Sequence, residues 1–284
     1  MKSVVVTGAS TGIGWGCVKV LAGHGFHVFG SVRKQADAER LSKEFGEKFT
    51  PLIFDVTDAA AVAKGAQAVS AKLKGETLMG LVNNAGIAVS GPLLHLDVAE
   101  FRNQLEVNLT GQLIVTQAFA PLLGASPDTK SKTPGRIVMI SSVGGKNASP
   151  FVGPYNASKF GLEGFSESLR RELMVYGVDV IIVAPGAVAT PIWDKADSVD
   201  VAKFGNTPYS KPLEAVKKYM IELGRKGFPP EKIGEAVWTA LTIDKPKTRY
   251  TVTPEPFQNW MINHLPKRSV DRTIAGRLGL TKAD

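Results

Sequence analysis

The chain has a single cysteine, Cys17, which excludes an intrachain disulfide and any multi-cysteine metal site. No run of about 18 apolar residues occurs, so no membrane-spanning helix is expected. The opening MKSVVVTGAS passes from a short apolar run into glycine, without the apolar core and cleavage site of a secretory leader. A reducing, cytoplasmic location is expected. The four histidines, His24, His27, His95 and His264, have no metal-ligand spacing, so no metal is expected. His24 and His27 flank a turn and read as surface groups, and Cys17 reads as buried packing. A block of one charge is lacking too. The formal net charge is +8, but bases alternate with acids in stretches such as DAERLSKEFGEK. The densest excess, eight Lys or Arg against three Asp or Glu, lies in residues 245–284. With no arginine-rich run, zinc pattern or basic–aromatic stripe, nucleic-acid partners are not expected. The charge reads as solvated surface, or as attraction to cofactor phosphates or an anionic membrane.

What the chain does have is a regular alternation. Its 284 residues, 44% hydrophobic and 21% charged, suffice for one large domain with a substantial core. Apolar runs at 3–8, 27–33, 50–56, 78–86, 135–142 and 178–186 predict strands. Helical periodicity over 14–23, 36–44, 58–73, 101–122 and 155–176 predicts the helices between them. Continuous apolar strands separated by amphipathic helices define an α/β fold: a doubly wound, mostly parallel, Rossmann-type sheet in a single domain spanning 1–284. Beyond Gly186 the alternation weakens. Residues 187–230, rich in Pro, Asp and single aromatics, predict a substrate lid, long or made of short broken helices. A helix then follows Pro229 and Pro230, with Ile233, Val237 and Leu241 on one face, and 248–254 predict a last strand. Residues 255–284 predict a helical extension in which Ile274 and Leu278 share a face near Arg272 and Arg277. That face can pack on its own domain, cover the pocket or touch a membrane surface, and membrane contact is the least expected.

The stretch VVVTGASTGIG places Gly8, Gly12 and Gly14 directly after the first strand and into the first helix. Glycine permits a tight turn and close backbone approach, and the helix N-terminus attracts a pyrophosphate. A ligand-free glycine turn is the plain alternative. The second strand ends GSVRK, with no acid before Asp37. An acid there would accept from a ribose 2′-hydroxyl and repel a 2′-phosphate. Arg33, helped by Ser31 or Lys34, can instead hold that phosphate, which points to NADP(H). NAD(H) is the alternative if Arg33 is only a surface group.

Tyr155 and Lys159 lie one helical turn apart at the start of the predicted 155–176 helix. A phenol titrates near 10 unless its anion is stabilised, and an ammonium one turn away supplies that stabilisation. Ser142, at the C-terminal end of the fifth strand, can donate to a substrate oxygen that gains negative charge. None of these groups needs a metal.

With these motifs in order, the chain resembles the short-chain dehydrogenase/reductase superfamily, closely over residues 4–190 and more loosely beyond. TGASTGIG, Asp55, the NNAG of 83–86, Asn108 in EVNLTG, Ser142, YNASK and PGAVAT carry the resemblance. It implies reversible hydride transfer between a nicotinamide cofactor and an alcohol–carbonyl pair. Tyr155 would be the acid/base and Ser142 would orient the carbonyl. Lys159 would lower the tyrosine pKa and hold the ribose, and Asn108 would position a water behind Lys159. Cofactor contacts are implied at Gly8, Ser10, Thr11, Gly12, Ile13 and Gly14, at Asp55 and Val56, and at Asn83, Ala85 and Gly86. Further contacts are implied at Tyr155, Lys159, Pro185, Gly186, Val188 and Thr190.

An apolar substrate pocket is expected from Val89, Val143, Phe151, Ile192, Trp193, Phe204 and Tyr209, with Lys146 as the one cationic candidate. A lipophilic ketone, aldehyde or secondary alcohol fits it. The tail loosely resembles retinol and hydroxysteroid dehydrogenases, which leaves an NAD-dependent alcohol dehydrogenase as the second reading. A nucleotide-binding regulatory protein without turnover is the third. Small residues Gly161, Gly164 and Ser168 on the Tyr155 helix, with family habit, imply a homodimer or homotetramer.

Overall fold

The computed structural model describes residues 2–127, 133–193 and 201–281. Seven strands form one parallel sheet: β1 (Ser3–Val6), β2 (His27–Val32), β3 (Phe49–Ile53), β4 (Gly80–Asn83), β5 (Arg136–Ile140), β6 (Asp179–Pro185) and β7 (Arg249–Val252). Their order is β3-β2-β1-β4-β5-β6-β7, and every pairing is parallel, so the sheet is wholly rather than mostly parallel among the described residues. The strand order reverses between β1 and β4. That reversal opens a crevice at the carboxyl ends of the two strands, where open sheets bind ligands.

Strand side chains alternate between two faces, and the two halves of the core follow. Val4, Val6, Val28 and Ile181 join one buried cluster; Val5, Phe29, Ile137 and Val180 join the other. The first face is covered by α1 (Gly12–Gly23) and α2 (Gln35–Phe45). The second is covered by α3 (Ala59–Leu73), α5 (Gly111–Phe119) and α6 (Gly153–Glu172), and α4 (Val98–Leu105) packs on α6. After α6 come α7 (Ser210–Arg225), α8 (Pro230–Thr242), α9 (Pro256–His264) and α10 (Lys267–Leu278). Helices α1 and α8 nearly touch backbone to backbone. A Cβ on Gly16 would lie 2.5 Å from the Pro230 carbonyl carbon, and one on Gly234 2.6 Å from the Gly16 oxygen.

Two expectations are corrected by the structure, the extent of the 101–122 helix and the surface reading of His27. The helix expected over 101–122 begins earlier, where the Asp97 carboxylate accepts from the Ala99 N–H at 2.8 Å and caps α4. It is also interrupted by a π turn, Glu106–Thr110, which carries Asn108. The region expected as a helical lid, long or made of short broken helices, contains α7, a helix of 16 residues. Its Leu213 and Val216 are buried with Phe151 and Phe204 in a third, smaller core. His27 is partly buried rather than a surface group. Its Nε2 lies 2.9 Å from Thr50 Oγ1, and burial together with the Lys72 charge lowers its pKa. His24 is exposed and stacks on Trp238 at 4.0 Å. Cys17 is fully buried, and burial pushes its thiol up to about 12.

In the tail, Leu278 and Leu280 pack against the third core. Among the described residues no helix is long and apolar enough to cross a membrane.

Candidate active site

The phosphate loop is built from backbone. Gly8 and Gly12 have φ of +65° and +57°, where side chains are strained. A Cβ on Gly8 would lie 2.9 Å from Ala85 Cα, and one on Gly14 2.1 Å from the Gly8 oxygen. The loop is stitched to its neighbours on both sides. The Gly8 N–H donates to Ser31 Oγ at 3.0 Å, and Asn84 Nδ2 donates to the Thr7 oxygen at 2.8 Å. Thr7 Oγ1 accepts from the N–H groups of Asn84 and Ala85 at 2.9 and 3.0 Å. Thr11, at the N-cap of α1, makes no side-chain capping bond, so first-turn N–H groups stay available to an anion. This cradle, which added Cβ atoms would fill, fits the pyrophosphate of a nicotinamide dinucleotide.

One cleft runs from this loop to α6. Its walls include Ser10, Gly12 and Ile13 of the loop, Ser31 of β2 and Arg33 just after it, and Asp55 and Val56 after β3. Ala85, Gly86 and Asn108 follow, then Tyr155, Lys159, Thr190 and Ile192; Gly8 and Thr11 complete the loop. Several expected residues lie behind this surface. Gly14 is under the loop. Asn83 is fully buried and donates to Thr116 Oγ1 at 2.9 Å, tying β4 to α5. Alternation along the strand turns its neighbour Asn84 to the cleft instead. Pro185 and Gly186 secure the sheet end, since a Cβ on Gly186 would meet Thr253 Oγ1. Val188 is buried, and its carbonyl accepts from the Trp193 indole at 2.7 Å.

At the β2 end, Arg33 is exposed and its guanidinium lies 3.8 Å from the Asp55 carboxylate. Lys34 is exposed and does not line the cleft. Arg40 was not anticipated: from α2 it donates to the Ser10 carbonyl at 2.6 Å while facing Asp37 and Glu44 at 3.3 and 3.5 Å. Its three- and four-residue spacing from those acids was the available signal.

Tyr155 sits in the first turn of α6, just after Pro154. Lys159 is buried; its Nζ donates to the Ile140 carbonyl at 2.8 Å and stands 5.7 Å from the Tyr155 ring centre. Ser142 follows β5, where its hydroxyl accepts from the Gly144 N–H at 3.0 Å and donates to the Pro185 carbonyl at 3.5 Å. Asn108 is held on both sides of its amide. Its Oδ1 accepts from the Ile87 N–H at 2.8 Å, and its Nδ2 donates to the Ile87 carbonyl and Ser158 Oγ at 3.0 and 3.1 Å. It therefore ties the π turn to the loop after β4.

Burial raises the Tyr155 pKa, and the Ser142 hydroxyl opposes that rise. Lys159 is itself lowered to about 8 by burial, opposed by the charge of Glu163 one turn further along α6. Among the described residues no His, Cys, Asp or Glu cluster could hold a metal ion.

The expected substrate side is only partly assembled around the cleft. Ile192 lines it. Phe151, Phe204 and Tyr209 instead hold the lid: Phe151 and Phe204 are buried in the third core, and Tyr209 meets the Phe151 ring edge-on at 6.0 Å. Trp193 packs on α7, where a Cβ on Gly224 would fall 2.4 Å from the indole. The Val89 N–H donates to Gln104 Oε1 at 2.7 Å, Val143 opens the turn after Ser142, and Lys146 beyond it is exposed. Phe151 has φ of +65°, and its carbonyl accepts from the Gly91 N–H at 2.7 Å, joining two loops at the site.

These features match known proteins. The family described as short chain dehydrogenase matches residues 2–200, and the chain belongs to that family. It is 39% identical over 274 residues to the NADPH-dependent 3-dehydrocapnine reductase of Ornithobacterium rhinotracheale, covering 96% of this chain and 95% of that one. It is 32% identical over 286 residues to human retinol dehydrogenase 5, covering 95% and 87%. A short chain dehydrogenase/reductase from Burkholderia phymatum in complex with NAD shares the fold with a TM-score of 0.78 at 21% identity, covering 96% and 95%. The protein is accordingly a nicotinamide-nucleotide-dependent oxidoreductase of carbonyl or alcohol substrates.

Proposed function

We propose that the protein is an NADP(H)-preferring carbonyl reductase for a hydrophobic ketone or aldehyde, able to run in reverse on a secondary alcohol. The carrying observation is Tyr155 in the cleft at the β1–β4 crevice, with the buried Lys159 ammonium 5.7 Å from its ring centre and Ser142 just after β5. Nicotinamide, when bound, supplies or accepts the hydride. The chain's own groups handle the oxygen. Ser142 donates to the substrate carbonyl and orients it, and Tyr155 gives its phenolic proton to that oxygen as the alcohol forms. Lys159, positive below about 8, steadies the phenolate left behind.

Arg33 supports NADP(H), as does the likeness to a protein named as an NADPH-dependent reductase. The second reading, NAD-dependent oxidation of an alcohol, draws on the Arg33–Asp55 pairing, which engages the cation a 2′-phosphate needs. A cytoplasmic homodimer also belongs to this proposal, joined through α5 and α6, where Leu113 and Phe160 are exposed.

The test follows absorbance at 340 nm with NADPH and, separately, NADH against aliphatic, aryl, steroid and retinoid carbonyls. Turnover confined to NADPH and bulky apolar ketones is expected, with Tyr155→Phe lowering it about a thousandfold while leaving cofactor affinity unchanged. A silent panel despite cofactor binding would instead make the protein a nucleotide-binding regulator.

A further inference from the structure

Behind the cleft lies an ion pair that the chemistry above does not use. Glu163 is on α6, four residues beyond Lys159 and eight beyond Tyr155, so all three share one stripe of the helix. Its carboxylate accepts from Arg249 Nε at 3.0 Å and from Ser141 Oγ at 2.7 Å. Arg249 comes from β7, the edge strand, and also donates to the Ser142 carbonyl at 3.4 Å and to Thr251 Oγ1. Both side chains are largely buried, with exposures of 13% for Glu163 and 17% for Arg249. The turn after Ser142 is pressed against this pair. A Cβ on Gly145 would meet Ser141 Oγ at 2.8 Å, Glu163 Cγ at 3.0 Å and the Lys159 carbonyl at 3.1 Å.

An edge-strand arginine and a helix glutamate at this depth carry a desolvation cost that a purely structural link would avoid with apolar groups. We propose that Glu163 and Arg249 form a positioning pair that sets the charge of Lys159 and fixes the turn carrying Ser142. The inference rests on the reading of Tyr155, Ser142 and Lys159 given under the proposed function. Two opposed charges act. Glu163 favours the ammonium form of its helix neighbour, and Arg249, always cationic, holds that influence in check. The other groups packed around Lys159 leave room for this control. The π turn contributes uncharged Asn108 and an exposed Glu106, β5 contributes the Ile140 carbonyl, and the Ser142 turn ends at exposed Lys146. Tyr155 is the remaining titratable neighbour on α6, and Arg33 and Asp55 are exposed at the β2–β3 end of the cleft.

Opposite charges predict opposite shifts, and packing alone predicts none. Glu163→Gln keeps the shape and a hydrogen-bonding oxygen but removes the negative charge. The ammonium is then less favoured, so the alkaline limb of kcat/KM moves to lower pH. Arg249→Gln leaves the carboxylate uncompensated and moves that limb to higher pH. Arg249→Lys retains the charge and keeps the wild-type pH profile, while its lost fork to the Ser142 carbonyl lowers kcat.

A second readout needs neither cofactor nor turnover. Acetylation of Lys159 by acetic anhydride, followed by mass spectrometry across pH, reports its free-amine fraction. At neutral pH it should run about three- to fivefold faster in Glu163→Gln, a shift of half to one pKa unit, and slower in Arg249→Gln. Unchanged labelling in both variants, or shifts in the same direction, overturns the inference. Tyr155→Phe separates the two claims. If it retains turnover, the proposed function falls while the labelling still tests the pair; if it abolishes turnover and labelling does not move, only the pair falls.

Discussion

The wall of the cleft made by β1, β2 and β4 is held by backbone, whereas the lid and tail are held by side chains. On the first wall, Gly8, Gly14 and Ala85 approach to distances that exclude a methyl group, and Thr7, Ser31 and Asn84 fasten main chain to main chain. On the second, Phe151, Phe204, Leu213 and Val216 form a small core of their own, which Leu278 and Leu280 close from the tail. A backbone cradle admits one ligand shape, here a dinucleotide common to many enzymes. A side-chain core can be repacked at modest cost, so substrate choice can change without disturbing the cradle.

The sharpest way to break the contrast is Gly14→Ala. Its Cβ would stand 2.1 Å from the Gly8 carbonyl and 2.6 Å from Asn84 Nδ2, and backbone cannot swing aside as a side chain does. The strain should cost about 3 kcal/mol, at the upper end for an overpacked site. It should fall on the loop first. Equilibrium titration with NADPH, read by tryptophan fluorescence, should give at least a hundredfold weaker binding together with a lower Tm. Binding within a few-fold of wild type would mean the cradle is more pliable than its geometry indicates.

The same contrast explains what could be read from the chain alone. Strands β1 to β6 were legible because each is a short apolar run, and α1 because glycines mark its start. Tyr155, Lys159 and Ser142 were legible because their spacing has a chemical meaning. What escaped depended on partners distant in sequence. Asn83 and Asn84 are adjacent, and only the sheet decides which one faces the cleft. Glu163 reads as ordinary helix surface until Arg249, 86 residues away, lies beside it. Trp193, Phe204 and Tyr209 were recognisable as lid aromatics, but whether an aromatic lines a pocket or anchors its wall is settled by packing. A helical lid was legible, but the continuity of α7 was not, because Pro212 suggests a break, although proline in a first turn displaces no helical hydrogen bond.

On the side-chain wall, Leu213→Ala should cost less and in a different place. Leu213 is 3% exposed, and truncating a buried leucine destabilises by about 2–4 kcal/mol, less if the site collapses around the gap. Because the third core is separate from the two that sandwich the sheet, the loss should appear as local opening of α7 and α10. Hydrogen exchange should speed up in those two helices with β1 to β6 unchanged. KM for an apolar ketone should rise several-fold with NADPH affinity intact. Faster exchange throughout the sheet would merge the two walls into one cooperative unit.

The smallest effect sharpens the contrast by reversing its sign. Gly164 lies on α6 with nothing within 4 Å of where its Cβ would be, unlike Gly14 or Gly16. In an isolated chain, Gly164→Ala should therefore stabilise by up to about 1 kcal/mol through helix propensity. If α6 instead packs against a second copy, with exposed Phe160 and Leu113 beside it, the open space is filled in the dimer. The added methyl then weakens association. Thermal denaturation and sedimentation velocity on the same samples separate the outcomes. A higher Tm with no change in mass places Gly164 on free surface. A lower, concentration-dependent Tm with a shift toward monomer makes its smallness a requirement of the interface, as Gly14's is of the phosphate loop.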